Sequence, residues 1–386
     1  MKKRMALLLA ALLMLALPMA PVWAEPLEAQ APLSLETPSF LLMEASTGQV
    51  IFEHGADERR PVASVTKLMT ILLTLEALEK GDLALDESVS VSKAAAGMGG
   101  SQALLDAGSS YKLEELLKSM IVASANDSAV ALAERIAGSE ANFVDQMNAR
   151  AAELSMTNTQ YKNCTGLPAD GQYTTARDVA ALSRAVGSHP KFFQYSTIWM
   201  DTIAHAGGRV TDLTNTNRLI RFYDGCDGFK TGSTNEARYC ISATAMKDGM
   251  RLIAVVLGTS ASQTRFNEAR AMMEYGFSTY KLMNVCAEGD ALNMEVAVSR
   301  GGADTVGVVM GKGMNLLIRR GEEANISMEV ALPETVQAPL KRGDALGEVR
   351  VLQGGATIAT LPAVAGTDVG LPGYLAALLR LLDMWR

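Results

Sequence analysis

The sequence predicts an α+β fold followed by a smaller all-β domain. Two observations carry the prediction. Strand signals flank a long helical block: FLLMEASTGQVIFEH at 40–54 and three strand-like strings from about Asp224. Beyond Asn284 the texture changes to short valine-rich pieces separated by glycine, aspartate and proline. With 386 residues, 48% hydrophobic and 20% charged, the chain has material for both parts.

The first residues, MKKRMALLLAALLMLALPMAPVWA, join a basic start at Lys2, Lys3 and Arg4 to an apolar run. Small residues follow at Val22 and Ala24. These three parts read as a signal peptide over 1–24, cut after Ala24. The alternative, an uncleaved anchor, is short for a membrane span and is broken by Pro18. Export places the mature chain at the outer face of the cytoplasmic membrane, on the cell-wall, periplasmic or forespore side. Removing 1–24 takes the formal net charge from −7 to −10. An acidic chain without basic runs is a poor nucleic-acid binder.

Residues 25–37, rich in Pro, Glu, Ala and Leu, read as a linker. The 40–54 string reads as a hairpin turning at Ser46, Thr47 and Gly48. Leu68, Ile71, Leu72, Leu75 and Leu78 then recur at helical spacing and Gly81 stops the run, so a helix is expected from Ser64 to about Lys80. Residues 82–185 are mostly helical by pattern, most clearly at 113–124, 128–137 and 141–154. DGFKTG, RYCISATAMKDG and MRLIAVVLG read as successive strands, with turns at Thr234–Asn235 and Asp248–Gly249. A helix over 267–282 closes this part. The expected division is a catalytic domain over 38–283 and a β domain over 284–368.

The tail GLPGYLAALLRLLDMWR predicts an amphipathic helix over 371–386. Arg380, Asp383 and Arg386 share one narrow face, and leucines and Trp385 cover the rest. That pattern suits a helix lying in a membrane surface, held with modest affinity. The alternative is a helix docked on its own β domain.

Cys164, Cys226, Cys240 and Cys286 form no C-x-x-C pair, and no Cys/His cluster has zinc-ligand spacing. Disulfides and free buried thiols both remain open for them. The three histidines, His54, His189 and His205, lie in unrelated contexts. No metal or organic cofactor is expected.

Chemistry enters at PVASVTKLMTILLTL, residues 61–75. Ser64 precedes Lys67 by three places at the front of an apolar run. A serine there has an ordinary use as a helix cap. S-x-x-K also occurs from Ser90, Ser109, Ser188 and Ser278, so the pattern alone is weak. Two further strings raise its weight: S-A-N at 124–126 and K-T-G at 230–232, the latter inside a strand signal and found nowhere else. S-x-x-K, S-x-N and K-T-G in this order form the active-site set of penicillin-recognising serine acyl-enzymes.

On these motifs, and on NCTGLPADGQYTTARDVAAL (163–182) and GCDGFKTGSTNEARYCISATA (225–245), the chain resembles the D-alanyl-D-alanine carboxypeptidase family of low-molecular-weight penicillin-binding proteins. It is most similar to the sporulation-type members, and the resemblance covers nearly the whole chain. It implies a penicillin-binding and β-lactamase-like fold: an antiparallel sheet covered by helices, then a β domain and an amphipathic tail. It implies removal of the terminal D-alanine from peptidoglycan stem peptides through an acyl-Ser64 intermediate, with β-lactams as inhibitors.

Lys67, one helical turn after Ser64, is within plausible reach to take its proton. A free lysine has a pKa of roughly 10.4, so a value near 7 costs about 4–5 kcal/mol. Burial and a second cation, Lys230, are the expected sources. The resemblance further implies that Lys230 meets the substrate carboxylate, Ser124 relays a proton to the leaving D-alanine, and Asn126 holds the substrate amide. It also implies an oxyanion hole made by the backbone N–H groups of Ser64 and Ser233. Thr231 and Gly232 are expected to shape the strand edge, and Arg265 matches a family arginine, which implies a part in positioning the terminal carboxylate. Ser233 stands where some relatives carry His, and S-A-N where many have S-G-N.

Three rivals share parts of this reading. A class A β-lactamase needs an extra Glu to activate water, and residues 163–176 contain none. A D,D-endopeptidase uses the same machinery with another pocket shape. A non-catalytic penicillin-binding sensor needs none of Ser64, Lys67, Ser124, Asn126 and Lys230.

Overall fold

The computed structural model describes residues 33–374. The expected signal peptide over 1–24 lies outside the described residues, as do most of the linker and residues 375–386 of the tail. Among the described residues no helix is long and apolar enough to cross a membrane.

The central sheet has five antiparallel strands. In chain order they are β1 (Ser39–Glu44), β2 (Val50–His54), β3 (Cys226–Thr234), β4 (Arg238–Lys247) and β5 (Met250–Thr259). Their spatial order is β2-β1-β5-β4-β3, so β3 is an edge strand. Every residue of β1 is buried, because both faces of the sheet are covered. Leu41 and Met43 face the helical block; Phe40 and Leu42 face the opposite side. The tight turn between β4 and β5 sits at Asp248 and Gly249, both at positive φ, as a two-residue hairpin requires.

The helices are α1 (Lys67–Lys80), α2 (Leu113–Val122), α3 (Asn126–Ala137), α4 (Glu140–Glu153), α5 (Ala176–Gly187) and α6 (Ser262–Thr279), with shorter turns between them. α1 is buried along Lys67–Leu72 and again at Thr74 and Leu75, and forms the middle of the helical block. α6 packs Phe266, Ala269, Met272 and Met273 on the other face of the sheet. Glu268 on α6 accepts bonds from the Glu36 amide and the Thr37 hydroxyl, which ties the incoming chain to this face.

Three local expectations are corrected. The helix expected from Ser64 opens as a 3-10 turn over Ala63–Thr66, and the α-helix proper begins at Lys67. The helix expected over 267–282 runs Ser262–Thr279, and Tyr280–Cys286 is a strand paired with Met314–Arg319. Two short antiparallel pairs interrupt the helical and loop regions: Ser88–Ser90 with Ser110–Lys112, and Met200–Ala204 with Val210–Thr214.

Beyond Cys286 a six-stranded sheet encloses its own core, which includes Val296, Val308, Val349, Val351 and Ala363. The strings VGVVM, SMEVAL and LGEVRVL fall on its strands, while NLLIRR falls on Met314–Arg319, which pairs with Tyr280–Cys286 outside this sheet. All four cysteines are buried and free, so the free-thiol alternative holds.

Candidate active site

Ser64 sits half-buried in the 3-10 turn, with Ala63 before it at φ 49°. It is not a helix cap: the residue in that position is Val62, and no side chain caps the turn. The Lys67 Nζ lies 2.9 Å from the Ser64 Oγ and 2.7 Å from the Thr165 carbonyl oxygen. These two contacts aim the amine at the hydroxyl.

Lys67 is wholly buried. Burial lowers its pKa from 10.5 to about 7, while Cys164 and Asp127 act against the drop. Burial thus brings Lys67 within reach of its uncharged form near neutral pH, with its Nζ at hydrogen-bond distance from the Ser64 hydroxyl. The expected second source is corrected: burial, not Lys230, lowers Lys67, and Lys230 is the group that responds. Lys230, also buried, is pushed well below its ordinary value by desolvation, then by the charges of Lys67 and Arg265.

The loop 163–167 supports Lys67 from outside. The Asn163 side-chain oxygen accepts bonds from the Thr165 and Gly166 amides, and its side-chain nitrogen donates to the Leu167 carbonyl. This folds the loop so that the Thr165 carbonyl faces inward. Gly166 is at φ 82°, and a Cβ there would lie 1.9 Å from the Ala63 carbonyl oxygen. Only glycine permits this approach behind Ser64.

The K-T-G motif lies on edge strand β3, against the Ser64 turn. A Cβ on Gly232 would come within 2.3 Å of the Val62 carbonyl oxygen and 3.0 Å of the backbone nitrogens of Ser64 and Val65. The glycine thus lets a free sheet edge reach the backbone of Ser64. Lys230 donates to the Thr231 carbonyl at 3.3 Å. The Thr231 hydroxyl meets that of Thr216 at 2.8 Å, and the Thr216 amide donates to the Val122 carbonyl at the end of α2. Thr216 therefore bridges the K-T-G strand to the segment leading into S-A-N. Ser233 is exposed on the same edge.

S-A-N forms the junction between α2 and α3. Ser124 takes a left-handed backbone, φ 64°, and its buried hydroxyl has no hydrogen-bond partner among the described residues. Asn126 donates its side-chain nitrogen to the Gly99 carbonyl at 2.6 Å and its backbone N–H to the Ser101 carbonyl at 2.7 Å. Its side-chain oxygen is buried and has no partner among the described residues. Strained backbone of this kind clusters at functional sites.

Arg265, on α6, is committed to the protein. One Nη donates to the carbonyls of Gly232 and Cys240 at 2.9 and 3.2 Å, and the other to the Ser262 hydroxyl at 3.3 Å. It braces the K-T-G strand; its buried Nε has no partner among the described residues. Sequence reasoning missed Thr165, Gly166 and Thr216. Of these Thr165 and Gly166 lie inside a recognisable signal, the N-C-T-G-L-P string, and Thr216 does not.

Residues 26–261 match the family model described as D-alanyl-D-alanine carboxypeptidase. The chain belongs to the D-alanyl-D-alanine carboxypeptidase family. Residues 280–370 match the C-terminal domain of penicillin-binding protein 5. The D-alanyl-D-alanine carboxypeptidase DacF of Bacillus subtilis is 36% identical over 354 residues, 92% of this chain and 91% of its own. Penicillin-binding protein 5 of Haemophilus influenzae superposes with a TM-score of 0.77 at 27% identity, covering 88% of this chain and 99% of its own. Penicillin-binding protein D2 of Listeria monocytogenes, solved in its ampicillin-bound form, superposes with a TM-score of 0.55 at 32% identity, over 64% of this chain and all of its own. The activity of this carboxypeptidase family member is serine-type hydrolysis at D-Ala-D-Ala.

Proposed function

We propose that this D-alanyl-D-alanine carboxypeptidase removes the terminal D-alanine of peptidoglycan stem peptides through an acyl-enzyme on Ser64. The 2.9 Å contact between the Ser64 hydroxyl and a wholly buried Lys67 carries the reading. Neutral Lys67 takes the Ser64 proton as Oγ attacks the carbonyl carbon of the penultimate D-alanine. The developing oxyanion is met by the backbone N–H groups of Ser64 and Ser233. Lys230, Thr231 and Gly232 receive the substrate along the strand edge, with the Lys230 charge opposite its terminal carboxylate. Asn126 offers its unpartnered oxygen to a substrate N–H. The unpartnered Ser124 hydroxyl passes the proton to the leaving D-alanine nitrogen as the peptide bond breaks. Water then attacks the Ser64 ester, releases the shortened stem and returns the proton to Oγ.

Arg265 acts in this scheme by holding the carbonyl of Gly232, and so the strand, rather than by touching the carboxylate. β-Lactams acylate Ser64 in place of the stem. Intact-mass analysis after incubation with benzylpenicillin tests the nucleophile. One adduct on the parent, mapped to residue 64 and lost in Ser64→Ala, supports it; an adduct that persists in Ser64→Ala refutes it.

The catalytic unit is assigned to 38–283 and a spacer β domain to 284–368. Residues 1–24 direct export, and 371–386 rest on the outer face of the cytoplasmic membrane. Deleting 371–386 should release the protein from membranes; unchanged association would contradict this. A D,D-endopeptidase remains the second reading on shared machinery. Release of an internal cross-link with no free D-alanine would favour it.

A further inference from the structure

The hairpin Met200–Thr214 stands outside the motifs, yet its tip is tied to the loop that walls the S-A-N turn. Arg209, at that tip, donates to the Leu104 carbonyl at 2.8 Å and to the Asp106 carboxylate at 2.6 Å. The Tyr111 hydroxyl adds a second tie. It contacts Asp106 and lies 2.8 Å from His205 Nδ1, whose other ring nitrogen lies 2.8 Å from the Thr211 hydroxyl. At its base the hairpin is paired to α2 through Asp201 and Lys118.

From the inner side the same loop is held by S-A-N and its neighbour. The Asp127 carboxylate accepts the amides of Ala103 and Leu105 at 3.0 and 3.1 Å. The carbonyls of Gly99 and Ser101 accept both nitrogens of Asn126. Leu104, between the two Asp127 contacts, has a left-handed backbone at φ 61° and an exposed side chain. That conformation is rarely taken by leucine and persists where the surroundings impose it. Here Asp127 grips the flanking amides and Arg209 grips the carbonyl between them. The direction of the Asn126 amide is set by the Gly99 carbonyl, and so by where this loop lies.

We propose that Arg209 is a positioning residue for the D-alanyl-D-alanine carboxypeptidase reaction. It latches loop 99–106 from the hairpin tip and thereby fixes the Asn126 amide against the substrate. The inference rests on the role given above to Asn126.

The test compares the full chain with Arg209→Ala, Arg209→Lys, Asn126→Ala and the Arg209→Ala/Asn126→Ala double variant. Acylation rates with benzylpenicillin are read by intact mass, and amide hydrogen exchange at Ala103 and Leu105 is read alongside. Arg209→Ala should slow acylation about tenfold, as a small displacement of a positioning group does. It should also speed exchange at both amides, and Arg209→Lys should restore part of the rate. Added to Asn126→Ala, it should bring no further loss, because both act through one group. Asp106→Asn removes the same pair and serves if Arg209→Ala fails to fold. Parent-like acylation or exchange in Arg209→Ala overturns the latch, as does a second full tenfold loss in the double variant. A parent that neither forms the adduct nor releases D-alanine overturns the functional reading, and the latch role with it.

Discussion

Replacing Lys67 by methionine separates the energetic cost of the proposed base from its use. The lysine is wholly buried, and its pKa falls from 10.5 to about 7. At 1.36 kcal/mol per pKa unit, charging Lys67 in the folded chain costs about 5 kcal/mol relative to the unfolded one. Its folded value is depressed, so between about pH 7 and 10.5 the unfolded chain binds more protons. The parent therefore gains stability as pH rises through that window. Methionine has similar bulk and no charge, so Lys67→Met lacks this gain. Its loss of contacts to Ser64 and Thr165 is the same at every pH. It also relieves Lys230, whose pKa Lys67 depresses, which flattens the variant's profile further. The parent's stability, measured against Lys67→Met, should thus improve by about 2–3 kcal/mol between pH 6.5 and 9. Urea unfolding at several pH values reads this directly, provided the slopes match. Acylation by the parent should rise with pH through about 7, and Lys67→Met should not acylate. Parallel stability profiles for the two proteins would refute the argument that burial neutralises Lys67.

Two glycines test the geometry around Ser64. Gly232→Ala places a methyl 2.3 Å from the Val62 carbonyl oxygen, so the K-T-G strand must retreat from Ser64. The cost should be about 1–3 kcal/mol of stability and more than tenfold in acylation, measured by urea unfolding and intact mass. Gly166→Ala, at φ 82° and 1.9 Å from the Ala63 carbonyl oxygen, should lose about 2 kcal/mol or more. It should also slow acylation as the Thr165 carbonyl leaves Lys67. Unfolding and acylation like the parent's would show that this loop adapts freely.

The motifs were legible because the chemistry restricts residue type. S-x-x-K, S-x-N and K-T-G name side chains that must carry or hold protons, and in the structure Ser64 and Lys67 meet at 2.9 Å. The strands at 226–259 were legible from their apolar runs, since burial on both faces removes the need for polar alternation. The hairpin at 200–214 was not legible. Ile203 and Leu213 are the buried apolar residues on its strands, too few to give a periodic signal. Tyr280–Leu282 read as helix because the apolar pattern of α6 continues into them. Their strand pairing is with Leu317–Arg319, more than thirty residues on, which no local window contains. The glycines are visible as letters, but their reason is a close approach between distant segments. Arg265 shows the same limit: its position carried the family signal, while its partners, the carbonyls of Gly232 and Cys240, come from tertiary packing.

Ser64, deprotonated by Lys67, is expected to cleave a D-Ala-D-Ala end. The direct measurement is D-alanine released by purified residues 25–370 from a peptide ending in D-Ala-D-Ala, with Ser64→Ala and Lys67→Met assayed beside it. The parent should release D-alanine at a rate that rises with pH through about 7, and neither variant should release any. Release by Ser64→Ala at the parent's rate would contradict it, and another residue would then be the nucleophile.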